Sequence, residues 1–164
     1  MKRLYRIAIP ILFLVLSAAF VYFYAFSGAF SPEDAVTGYI KASMKQDSSG
    51  MVRYSSDYQK TILFGSRDFT DSAIKTQLKK SYANVENIYK DSKITFSISD
   101  VQEISSQTDE YSKVTDAFVY TAGKADFSAV TKVAVTVYVD GKQKQKSTVY
   151  AVKCGLYWYY GYIE

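Results

Sequence analysis

Residues 129–163 read AVTKVAVTVYVDGKQKQKSTVYAVKCGLYWYYGYI. Ala129, Thr131, Val133, Val135, Val137 and Val139 recur at every second position, the period of a strand with one apolar face. Asp140-Gly141 then supplies a two-residue hairpin turn, because glycine accepts the positive φ that such a turn requires. The return strand is expected over Lys142–Lys153. Cys154-Gly155 allows another turn, and Leu156–Ile163 forms a final strand. Three antiparallel strands in succession make a meander, which parallel βαβ units cannot provide.

Upstream of the meander, Ile94, Phe96 and Ile98 alternate with Thr95, Ser97 and Ser99, which predicts one more strand. Residues 109–120 fit two patterns. Tyr111, Val114, Phe118 and Val119 suit a helix, Ala117–Thr121 could begin a strand, and the helix fits better. Earlier still the period is helical. Ser31-Pro32-Glu33-Asp34 combines a capping serine, a proline suited to the first helical position and S-x-x-D spacing. Val36, Tyr39, Ile40 and Met44 continue that helix to a break at Asp47-Ser48-Ser49-Gly50. Shorter helices are expected over residues 51–54 and 57–64, the second ending at Gly65. Another starts at Asp68 or Thr70 and carries Ala73, Ile74, Gln77, Leu78 and Tyr82 along one stripe. Helices first and a meander last indicate an α+β domain over residues 31–164, with helices covering one face of the sheet.

Residues 1–30 have a different character. No charged residue occurs between Arg6 and Glu33, and Ile7–Phe26 is almost unbroken apolar sequence. Twenty such residues in a helix reach across a hydrocarbon core of about 30 Å. The run therefore reads as a membrane anchor, with Lys2, Arg3 and Arg6 keeping the N-terminus cytoplasmic and the domain extracytoplasmic. The competing reading is a cleaved secretory signal, with small residues at Ser17-Ala18-Ala19 or Ser27-Gly28-Ala29. The overall +4 charge belongs mainly to this segment, since removing its three bases from the 20 leaves 17 against 16 acids, a net +1. A nearly neutral domain argues against nucleic acid as a partner.

Several quoted segments together resemble a known superfamily. They are the opening S-P-E-D-A-V, the break Q-D-S-S-G-M, the short helices, and the closing V-D-G-K…T-V-Y-A-V-K-C-G-L-Y-W-Y. Their order is similar to the cystatin-like α+β rolls of the nuclear-transport-factor-two-like superfamily, and most of all to small exported or membrane-anchored bacterial domains of unassigned function. The resemblance implies a bent sheet wrapped around helices, often with a pocket. It implies no single activity, since members include isomerases, ligand binders and assembly domains.

Composition narrows the chemistry. The chain has no histidine and one cysteine, Cys154, so His-based catalysis, His-ligated zinc, cysteine zinc clusters and an internal disulfide are excluded. No phosphate-binding, dinucleotide or calcium-loop motif occurs, and no cofactor or metal is expected. Asp100, Asp116 and Asp126 lie in the sheet-forming half but lack the apolar flanks of a buried catalytic base.

The candidate contact residues are aromatic. Alternation predicts that Leu156, Trp158, Tyr160 and Tyr162 share one face of the last strand, with Tyr157, Tyr159 and Ile163 on the other. Tyr138 and Tyr150 on neighbouring strands are candidates to extend that surface toward a protein partner or a small apolar ligand. Large rings serve equally to fill a core. Lys142, Lys144 and Lys146 are expected to form a row on one face, which suits an anionic surface or simply keeps a hairpin soluble. These features together indicate a non-catalytic interaction or assembly module of the cell envelope. The alternative is a ligand-binding cone lined by aromatics, and an isomerase-type enzyme ranks below both.

Overall fold

The computed structural model describes residues 14, 16, 17, 28–84 and 92–164. From residue 28 onward the described elements run α1 (Pro32–Met44), α2 (Ser48–Tyr54), α3 (Asp57–Phe64), α4 (Asp71–Asn84), β1 (Ile94–Ile104), α5 (Asp109–Ala122), β2 (Ala129–Val139), β3 (Lys142–Cys154) and β4 (Tyr157–Ile163). The helices begin where short polar side chains stop the chain from extending. Ser31 Oγ accepts the Asp34 N–H at 3.1 Å ahead of Pro32. Asp47 Oδ1 accepts the N–H groups of Ser49 and Gly50, each at 3.0 Å. Thr108 Oγ1 accepts the Tyr111 N–H at 3.2 Å and starts α5, so residues 109–122 are a helix and the strand alternative falls. Each such cap contributes about 1 kcal/mol.

The strands form one antiparallel sheet in the order β1-β2-β3-β4. Asp140 and Gly141 both take positive φ, 52° and 77°, at the β2–β3 turn. Asp140 does further work, because its Oδ1 accepts the Lys93 N–H at 2.8 Å and ties the turn to the start of β1. Val133 pairs with Val149 and Thr131 with Ala151, which sets Val133, Val149 and Ala151 on one face. That face packs on Val36 of α1, Val52 of α2 and Ile74 of α4, all fully buried. The other face carries Val130, Tyr150 and Val152, which meet Val114 and Phe118 of α5. Helices therefore lie on both faces, not one. Val114 and Phe118, one helical turn apart, give α5 an apolar stripe that needs a sheet face of its own.

The expectation of a transmembrane helix followed by a roll is corrected. Among the described residues, no helix is long and apolar enough to cross a membrane. The longest, α4 and α5, have 14 residues and mixed polar sequence. A helix of that length spans about 21 Å, against the ~30 Å required. The expected anchor at residues 7–26 lies outside the described residues apart from Leu14, Leu16 and Ser17. What holds is an α+β chain with a four-stranded antiparallel meander.

The two edges of the sheet are treated differently. Along β4, Ala29 N–H donates to the Trp158 carbonyl at 2.9 Å and Trp158 N–H donates back at 2.7 Å. Ser56 N–H donates to the Tyr160 carbonyl at 2.9 Å. Along the outer edge of β1, no strand pairs among the described residues.

Candidate functional site

The aromatic strand does not present a single surface. In the β3–β4 pairing Tyr150 faces Tyr162, but Ala151 faces Tyr160, so Gly161 is an extra residue. This bulge breaks the alternation and puts Tyr160 and Tyr162 on opposite faces. Glycine is required there, since a Cβ would lie 2.6 Å from the Tyr150 carbonyl oxygen. Tyr160 is 6% exposed and stacks on Tyr39 with ring centroids 3.9 Å apart. Burial pushes the Tyr160 phenol up to about 12. Trp158 packs against the same cluster, under the Lys153 ammonium. Tyr160 is thus core, with Trp158 partly buried against the same cluster.

Tyr150 and Tyr162 stack on the other face at 5.7 Å. Tyr150 is 3% exposed, yet its single hydroxyl proton lies between two carboxylates, Glu110 Oε1 at 2.7 Å and Glu164 Oε2 at 3.0 Å. Lys132 Nζ donates to the same Glu110 oxygen at 2.9 Å. The Lys132 hydrogen bond, then that of Tyr150, holds the Glu110 carboxyl below its ordinary value. Burial, then the two carboxylates, raises the Tyr150 phenol. This polar cluster joins α5, β2, β3 and the residue after β4. Sequence reasoning missed it, because its members are far apart along the chain and no local pattern marks them. Tyr138 is half-buried on the same face, with its hydroxyl 3.5 Å from Ser97 Oγ. The candidate aromatics therefore do not converge on one contact site.

The lysine row is also broken. Thr136 pairs with Lys146 and Val139 with Lys142, and these β2 positions face opposite sides. The irregularity between Val137 and Tyr138 leaves Lys144 without a register partner. All three lysines are exposed. Among the described residues no Asp or Glu is buried, and Asp100, Asp116 and Asp126 are exposed.

Two of the concave features among the described residues bear on function. One, of about 240 Å³, has Phe118, Phe127 and Tyr159 as apolar wall and Asp57, Lys124 and Asp126 at its rim. Lys124 bridges Asp57 at 3.3 Å and Asp126 at 3.0 Å, so the rim charges are spent on one another. Cys154 lines this pocket, and burial followed by the two aspartates pushes its thiol up to about 11, away from a nucleophilic thiolate. The other is an open groove of about 590 Å³ between α1 and β1. Ile94, Phe96 and Ile98 line one side, with Met44, Lys41 and Lys45 on the other. Neither lysine has an ion pair among the described residues. The sequence did carry a signal for this groove. Residues 94–99, ITFSIS, contain no charge, proline or glycine, and Lys41 and Lys45 are one helical turn apart.

No protein family, curated protein or solved structure matches the chain.

Proposed function

We propose that this chain is a non-catalytic interaction or assembly module of the cell envelope. The observation that carries the proposal is the contrast between a consumed aromatic strand and an edge that pairs with no strand among the described residues. Tyr160 is spent on the core, whereas β1 offers backbone N–H and C=O groups beside an apolar groove. Unpaired edges of this kind are templates for another chain. The charge-free sequence between Arg6 and Glu33, behind three bases, supports an exported location. Membership of the roll superfamily is proposed on the sequence motifs alone.

Photocrosslinking in living cells tests this reading. A photoreactive residue at Thr95 or Ser97 on β1 is expected to capture a discrete envelope protein. The same residue at Tyr120, which is 85% exposed on α5, is expected to capture none. Equal adducts from all three positions, or none from β1, would sink the proposal. A second reading, small-ligand binding, draws on the aromatic pocket beside Cys154. It predicts that a small apolar aromatic compound slows alkylation of Cys154 in the folded protein. Unchanged alkylation at saturating compound counts against it.

A further inference from the structure

We infer that the β1 edge and its groove accept an acidic, extended peptide segment of another protein as a fifth strand. This rests on the interaction reading and names the partner's chemistry. Three observations converge on it. First, alternate residues of an edge strand direct backbone N–H and C=O groups outward, and β1 keeps this edge unpaired among the described residues. Second, natural sheets blunt such edges with charges, prolines or bulges. β1 does so only in its second half, where Asp100 takes a φ of 50° and the register shifts between Ser99 and Gln102. Ile94–Ser99 is left regular and uncharged. Third, the groove beside that regular half is lined by two cations and no acid.

The geometry sets the sequence an occupant needs. A strand added beside β1 alternates its side chains between the two faces of the sheet. Those on the α1 side meet Phe96 and Ile98 or the ammonium groups of Lys41 and Lys45, so they are apolar or acidic. Those on the other side continue the row of Thr95, Ser97 and Ser99, so they are small and polar. A second copy of this chain fits less well, because antiparallel pairing of two β1 strands sets side by side two grooves that each present Lys41 and Lys45 and no acid among the described residues. Acids from a partner neutralise them and steer its approach.

The test uses the full chain in mild detergent and a capped, fluorescent peptide of sequence TVTETVTE. The expected result is saturable binding that weakens with salt and is reduced at least about tenfold by each of three changes. These are replacement of both glutamates by lysine, N-methylation of alternate peptide amides, and the double substitution Lys41→Glu and Lys45→Glu. The first two alter only the probe, so they hold even if the protein variant folds poorly. Hydrogen exchange should slow within residues 94–99 when the probe is bound. Equal binding of the lysine peptide, indifference to N-methylation, or protection elsewhere overturns the inference. So does concentration-dependent self-association that the probe cannot compete. If the probe fails while photocrosslinks from β1 persist, the acidic-strand inference falls and the interaction reading stands. If both fail, both fall.

Discussion

β4 carries Tyr157, Trp158, Tyr159, Tyr160 and Tyr162, and its outer edge is closed by Ala29 and Ser56. β1 carries Ile94, Phe96 and Ile98 between threonine and serines, and its outer edge is open among the described residues. Both are edge strands of the same sheet. The difference follows from how much apolar area each must hide. A buried tyrosine or tryptophan removes far more area from water than a serine does, so the ring-rich strand gains from cover on its faces and its edge. The plainer strand lacks that driving force, and no strand pairs with its outer backbone groups among the described residues. Aromatic density in this molecule therefore marks packing, and the quieter alternation marks the accessible edge.

The largest test of the contrast is Tyr160→Ala. Tyr160 is buried against Tyr39, whose hydroxyl accepts a hydrogen bond from Gln59 Nε2 at 2.8 Å. Truncation is expected to cost about 3–5 kcal/mol, as for other buried rings. Phe96→Ala on the half-buried β1 should cost clearly less. Urea unfolding of the two variants checks the ranking, and equal losses would break the comparison.

A smaller perturbation opens the closed edge. A Cβ on Gly28 would clash with the Trp158 carbonyl oxygen, so Gly28→Ala must displace the segment that covers β4. The expected cost is about 1–3 kcal/mol, within the range for overpacking. Amide exchange at Ala29 and Trp158 should quicken while exchange in the β2–β3 hairpin is unchanged. If those two amides keep their protection, the segment is not held by this contact.

The polar cluster at the end of β4 gives a pH signature. Glu110 titrates below its ordinary value near 4.5 because Lys132, then Tyr150, stabilises its charged form. Its contribution to stability is complete above that ordinary value and is lost as pH falls through the lower folded value. Glu110→Gln should therefore flatten the acid limb of stability against pH and leave its shape above neutrality unaltered. Denaturant melts at several pH values between about 3 and 7 check this, and an acid limb as steep as in the unmodified protein would contradict it.

Much of this architecture was legible because local chemistry agreed with the global fold. Ser31-Pro32, Asp47 and Asp140-Gly141 each fix a boundary through a side chain or backbone group within a few residues. The meander follows from period, whereas over residues 109–120 period fitted both a helix and a strand and the Thr108 cap decides for the helix. The faces were harder. Strict alternation assigned Tyr162 to the side of Tyr160, and the lysines to one row, but single-residue bulges at Gly161 and beside Val137 reversed both. A bulge is specified by close approach of another chain segment, here the Tyr150 carbonyl and Phe118 ring against Gly161, which no window of sequence contains. The groove escaped notice for a related reason. Lys41 and Lys45 meet Phe96 only when α1 docks on β1, two elements separated by most of the helical half.

The smallest expected effect on stability is the one that isolates the open edge. Ser97 is exposed, pairs with Thr136 across the sheet, and lies on the side away from the α1 groove. Ser97→Asp removes only a marginal 3.5 Å contact with the Tyr138 hydroxyl and introduces a residue that disfavours strands. It should change stability by less than about 1 kcal/mol. Its carboxylate stands beside the small polar side chains that an incoming strand presents on this face, and a charge on an edge strand blunts pairing, so affinity for the acidic peptide should fall several-fold. A polar substitution on β4 cannot separate these two readouts, because Tyr160 is already committed to the core. If Ser97→Asp destabilises the protein as severely as Tyr160→Ala, the outer edge of β1 is covered in the native molecule. The two edges would then be alike.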